Sequence, residues 1–83
     1  MAKKIAIFGA TSEIGGEIAR RLAPGNHLVL AGRRTTDLAE ELTRLGATQV
    51  DSFFFDATDV DSHADLIAEI EATGPLDVAL AMF

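Results

Sequence analysis

Short apolar runs alternate along this chain with stretches of helical spacing, and that alternation restricts its architecture more than any other feature. Lys4-Ile5-Ala6-Ile7-Phe8 is closed by Gly9 and predicts a buried strand. Ile14, Ile18 and Leu22 then recur every four positions, marking one face of a helix that Pro24-Gly25-Asn26 ends. His27-Leu28-Val29-Leu30-Ala31, closed by Gly32, predicts a second strand. Leu38, Leu42 and Leu45 mark a second helix, stopped by Gly46, and Val50 to Phe55 a third strand. Leu66, Ile67 and Ile70 mark a third helix, closed by Gly74-Pro75, and Leu76 to Phe83 a fourth strand.

Strands joined by helices of this length pair in parallel through right-handed crossovers. The expected fold is therefore a three-layer α/β sandwich, βαβαβαβ, with strand order 3-2-1-4, part of a doubly wound sheet. Two helices cover one face and the third crosses to the other. The runs are apolar throughout rather than alternating, as when both faces of a sheet are covered. On that reading Phe53-Phe54-Phe55 is core on both faces. The fourth strand ends up at a sheet edge, although it is among the most apolar segments. An apolar edge invites pairing with another chain, so self-association through this strand is expected, and a chain that stops there reads as cut short.

At 83 residues the chain is one small domain. It has no cysteine, which fits a reducing, cytoplasmic compartment. The longest apolar stretch, Val78 to Phe83, falls far short of the ~18 residues that suggest a membrane span. Met1-Ala2-Lys3-Lys4 has no long apolar region after it, so no secretory signal is expected. Seven basic residues stand against 13 acidic ones, a net charge of −6, which argues against a nucleic-acid partner. All the basic residues lie at or before Arg44, so a site for an anion belongs in the first half.

The most informative segment joins the first strand to the first helix: Phe8-Gly9-Ala10-Thr11-Ser12-Glu13-Ile14-Gly15-Gly16. A helix start offers unpaired N–H groups and partial positive charge, which suit phosphate. Gly9 lets the chain turn sharply, and Gly15 lets the helix pack closely on the sheet. Thr11 and Ser12 can cap N–H groups or bond phosphate oxygens. The segment serves either a nucleotide or simply the geometry of a βα turn. Its place after the first strand favours the nucleotide.

Leu30-Ala31-Gly32-Arg33-Arg34 is the second. At this point a dinucleotide fold meets the adenosine ribose: an acid there reads the 2′-hydroxyl of NAD, an arginine the 2′-phosphate of NADP. Here Arg33 and Arg34 stand with no acid until Asp37, so NADP is expected over NAD. Arg33 is the reader; Arg34 either shares the role or is a solvated charge. After the third strand comes Phe54-Phe55-Asp56-Ala57-Thr58-Asp59. Asp56 is placed to accept from the adenine amino group, and Asp59 or Asp61 to cap the third helix. His27 is read as a surface residue and His63 as a partly buried or capping one. Two distant histidines make no metal site, and the Asp56, Asp59, Asp61 run lacks the pattern of a calcium loop. Ser12 has no partners for a nucleophile's role.

Gly9-x-x-x-x-x-Gly15, Gly32-Arg33, Asp56-Ala57 and Leu76-Asp77-Val78, in that order and spacing, resemble the N-terminal part of a short-chain dehydrogenase/reductase. The resemblance covers the whole chain. It implies a Rossmann-like NAD(P)-binding domain over residues 1–83, with Gly9, Thr11, Ser12, Glu13, Ile14 and Gly15 around the pyrophosphate. It further implies Arg33 at the 2′-phosphate, Asp56 with Ala57 at the adenine, and Ala81 near the nicotinamide-side ribose. The family's middle glycine is Glu13 here, whose charge should point away, and the basic residue before it is Ser12. The usual Asn-Asn-Ala is Ala81-Met82-Phe83. The Thr-Ser-Glu-Ile-Gly loop and Phe83 look most like the subgroup that reduces the 2-keto form of decaprenyl-phospho-pentose. Such enzymes work with a serine and a Tyr-x-x-x-Lys pair. This chain has no tyrosine, and its only lysines, Lys3 and Lys4, precede the first strand. The resemblance thus implies the cofactor half of a reductase acting on an unidentified carbonyl or alcohol. The alternative is a stand-alone nucleotide-binding module without catalysis; a flavodoxin-like signalling domain fits less well, because the acidic pocket and lysine of a receiver are missing.

Overall fold

The computed structural model describes residues 2–10, 12–56, 58, 61, 63–72 and 74–81. Seven elements follow in order: β1 (Lys4–Phe8), α1 (Glu13–Leu22), β2 (His27–Gly32), α2 (Thr36–Arg44), β3 (Gln49–Phe54), α3 (His63–Glu71) and β4 (Val78–Ala81). They form the expected α/β Rossmann-like fold, a parallel sheet in the order β3-β2-β1-β4. In register, Ile5 lies beside Leu28 and Val78, and Phe8 beside Ala31 and Ala81.

Alternation along the central strands divides the core. Ile5, Ile7, Leu28 and Leu30 pack with Ala19, Ala23 and Leu42 of the α1–α2 side. Ala6, Val29 and Ala31 pack with Phe55, Leu66 and Ile70 on the α3 side. Burying these apolar faces is the main stabilising term.

Several expectations need correction. The covered stripe of α1 is Gly15, Gly16 and Ala19, while Ile14 is 69% exposed. Small residues let α1 approach the sheet and form its fully buried stripe, while Leu22 of the expected Ile14-Ile18-Leu22 line is half-buried against the core. On α3, Leu66 and Ile70 are buried but Ile67 is exposed. Only β1 and β2 are covered on both faces; every residue of β3 and β4 is half-buried or exposed, because each is an edge strand. Phe54 is therefore not core: it is 72% exposed, between half-buried Phe53 and buried Phe55.

Lys4 opens β1, as the strand prediction has it, and is buried. Its Nζ donates to the carbonyls of Ile70 (2.6 Å) and Gly74 (2.8 Å), and its backbone N–H donates to Asp77 Oδ2 (2.8 Å). The ammonium thus sits at the C-terminal end of α3, where the helix dipole favours a cation. His27 is not a bare surface residue. Its Nε2 lies 2.7 Å from Asp51 Oδ2, which links β2 to the edge strand β3.

Candidate cofactor site

Parallel strands place all their C-terminal ends on one rim, and the chain leaves β1 and its neighbour β4 at a reversal of strand order. Open α/β sheets bind ligands at such a point. Phe8, Gly32, Phe54 and Ala81 end the strands on this rim, and Gly9, Ser12, Arg33, Arg34 and Asp56 follow directly from it, whereas His27 lies at the opposite end of the sheet.

The loop after β1 is held tightly. Gly9 takes φ +80°, the left-handed region that glycine tolerates best. The Gly9 and Ala10 N–H groups both donate to Ala31 O, at 2.7 and 3.1 Å, tying the loop to the end of β2. Ser12 N–H donates back to Gly9 O (3.0 Å). Ser12 is the N-cap of α1, its Oγ accepting from Gly15 N–H at 3.0 Å. Its hydroxyl hydrogen is still able to donate to an anion. A Cβ on Gly15 would lie 2.7 Å from Gly9 O, 2.9 Å from Ser12 Oγ and 3.3 Å from Ala10 Cα. Gly15 thus lets the loop close on itself, a nearer reason than the helix-to-sheet packing expected of it. Glu13 is exposed in the first turn of α1 and lines a hollow between α1 and α2 with Arg20 and Arg34. Ile14 stands in solvent beside the loop. Thr11 and Ala57 lie outside the described residues, as does Asp59.

Beyond β2, Arg33 and Arg34 are exposed and line a hollow of about 420 Å³ with Gly32, Thr35, Thr36 and Phe54. Among the described residues Arg34 forms no ion pair, whereas Arg33 Nη2 donates to Asp56 Oδ1 at 3.2 Å. The same Asp56 oxygen accepts from Thr58 N–H (2.9 Å) and Thr58 Oγ1 (2.7 Å). The Thr58 bonds, with help from Arg33, lower the Asp56 pKa from its ordinary value to about 2. Because the folded pKa is depressed, what this carboxylate adds to stability is present above the ordinary carboxylate range. It is lost only as pH falls through about 2.

Sequence reasoning placed Arg33 and Asp56 separately; the fold joins them. It missed Thr58, although Asp followed two positions later by Thr is a local turn signal. It also missed the surroundings of His63, whose Nε2 lies 3.1 Å from Asp56 O and whose ring stacks on Phe55 at 4.9 Å. Phe8, Phe55, His63, Ile67 and Ala81 line an apolar pocket of about 180 Å³ at the ends of β1 and β4. No group of three or more metal-ligating side chains occurs among the described residues, and no described helix is long and apolar enough to cross a membrane.

Comparison with known proteins agrees with this geometry. A sequence model of the short chain dehydrogenase family matches residues 3–81. An uncharacterized oxidoreductase of Mycobacterium tuberculosis is 43% identical over 86 aligned positions, covering 99% of this chain and 34% of the relative. The chain thus spans about a third of that relative's length. A short-chain type dehydrogenase/reductase from Mycobacterium ulcerans superposes with TM-score 0.83 at 26% identity, over 95% of this chain and 31% of that one. A Burkholderia cenocepacia structure with bound NADP shares the fold, with TM-score 0.81 at 22% identity, over 96% of this chain and 33% of the other.

Proposed function

Because this chain belongs to the short-chain dehydrogenase family, we propose that it is the NADP(H)-binding portion of a reductase. The whole protein would move hydride between nicotinamide and a carbonyl or alcohol. The observation that carries the cofactor choice is the pair Arg33 and Arg34 lining one hollow directly at the end of β2, ahead of Asp37, the carboxylate that also lines it. Guanidinium groups match phosphate in charge and geometry.

In this reading Gly9, Ser12 and Gly15, with Thr11, Glu13 and Ile14, surround the pyrophosphate at the start of α1. Arg33 takes the 2′-phosphate with Arg34 beside it. Asp56 and Ala57 border the adenine, and Ala81 borders the nicotinamide-side ribose. The tight loop fits this use, since Gly15 has no room for a side chain. The cofactor, when bound, supplies the hydride; these residues only bind and orient it. The chain carries no tyrosine, so the proton-handling residue of such chemistry belongs to other parts of a longer protein. The narrower likeness to reductases of a decaprenyl-phospho-2-keto-pentose rests on the loop residues and Phe83 alone.

Titration calorimetry with NADP and NAD tests the reading. Arg33→Ala should weaken NADP binding by ~2 kcal/mol or more, about thirty-fold, and leave NAD almost unchanged. Equal losses for both cofactors would remove Arg33 from the 2′-phosphate. The β4 edge leads to a separate expectation. Ala79 and Ala81 are exposed on an edge strand, and we propose that copies of the chain associate there. Light scattering should report a dimer or larger species, and a uniform monomer would contradict the proposal.

A further inference from the structure

One carboxylate oxygen, Asp56 Oδ1, collects the Thr58 N–H, the Thr58 hydroxyl and an N–H of Arg33. We propose that Asp56 and Thr58 form a positioning pair that sets the Arg33 guanidinium for a phosphate-bearing cofactor. The proposal rests on the reading of Arg33 as the partner of the 2′-phosphate.

The order of the distances gives the direction of control. Both Thr58 bonds, at 2.7 and 2.9 Å, are shorter than the Arg33 contact at 3.2 Å. The carboxylate is therefore oriented by its own local turn, and Arg33 is tied to a post already in place. The Arg33 side chain is 66% exposed, and among the described residues Asp56 is its one ion-pair partner. A long, mobile arginine loses rotamer freedom when it grips a ligand, and tethering it beforehand reduces that loss. The tether uses one of several N–H donors and leaves the rest for phosphate. Arg33 lines the hollow at the end of β2, as Asp37 does and Asp56 does not, so an anion bound there meets the Arg33 guanidinium rather than the Asp56 carboxylate. Arg34, on the same hollow, has no such post among the described residues.

The test uses the 83-residue chain with Thr58→Val, which keeps the side-chain shape and removes the hydroxyl donor. Calorimetry should show NADP about five-fold weaker and NAD within about two-fold of the parent chain. Thr58→Ser should restore NADP binding. The Asp56 carboxyl midpoint, followed by NMR, should rise from about 2 in Thr58→Val. A purely structural role for Thr58 would instead lower the affinity of both cofactors together, and that result overturns the proposal. So does tighter NADP binding, which would make Asp56 a competitor of the phosphate. A parent chain that prefers NADP and is unmoved by Thr58→Val overturns this inference alone; a parent chain with no preference overturns the reading beneath it as well. Side-chain ¹⁵N relaxation of the unaltered chain needs no variant: Arg33 should be more ordered than Arg34, and equal mobility counts against the tether.

Discussion

Gly15→Ala should lower both stability and cofactor affinity, while Gly16→Ala, one position along the same helix, should be tolerated. The two glycines look alike in the sequence and share the buried side of α1. Their surroundings differ. A Cβ on Gly15 would sit 2.7 Å from the carbonyl oxygen of Gly9, and that backbone cannot swing aside, because the Gly9 and Ala10 N–H groups are fixed to Ala31 O. A Cβ on Gly16 meets the Arg20 guanidinium at 3.6 Å and Ala10 O at 3.7 Å, ordinary contact distances. Overpacking costs about 1–3 kcal/mol, against about 1 kcal/mol that alanine regains over glycine in a helix. Strain wins at Gly15, and propensity wins at Gly16. The expected thermal shift is about −4 to −10 °C for Gly15→Ala and zero or slightly upward for Gly16→Ala. Affinity for NADP should fall more than about ten-fold in the first, because the displaced carbonyl belongs to the loop proposed to hold the pyrophosphate. Equal melting temperatures for the two variants would show that the loop yields freely.

Lys4→Met should be among the most damaging single changes. It keeps the apolar stem and removes the ammonium, leaving the carbonyls of Ile70 and Gly74 without this donor. A hydrogen bond from a charged group is worth about 1.5–3 kcal/mol, and the loss of a cation at a helix C-terminus adds up to ~1 kcal/mol. The sum, about 1.5–4 kcal/mol, is a large part of the roughly 4–12 kcal/mol available to a chain of this length. Urea denaturation followed by circular dichroism should show the midpoint falling steeply. Lys3→Met, at an exposed neighbour, is the control and should change little. If both variants behave alike, the ammonium is reached by water and does not tie β1 to the end of α3.

These two cases also mark what the sequence could and could not convey. Strand order and the central core were legible because β1 and β2 are continuous apolar runs bounded by glycines, and only one crossover hand is favoured. The edges were harder to read. Phe53-Phe54-Phe55 looks uniform as letters, yet alternation and an edge position leave Phe54 in solvent. The buried stripe of α1 was hidden because it consists of glycine and alanine, which carry little hydrophobic signal, whereas the conspicuous Ile14 faces out. The partners of Lys4 could not be read, because Ile70 and Gly74 lie 66 and 70 positions away and reach it only when α3 packs on the sheet. In the site, the glycine loop and the paired arginines were visible as local motifs. The link from Arg33 to Asp56 spans 23 positions and appears only once β2 and β3 lie side by side.

The account turns on where a phosphate-bearing dinucleotide settles on this chain. Titrating the ¹⁵N-labelled 83-residue chain with NADP, and separately with NAD, measures that residue by residue. The account predicts saturable shifts at the amides of Gly9, Ser12, Gly15 and Gly16 with either cofactor, and shifts at Arg33 and Arg34 that are large with NADP and small with NAD. Shifts that leave the loop after β1 unmoved, or arginine signals that respond equally to both cofactors, would contradict it.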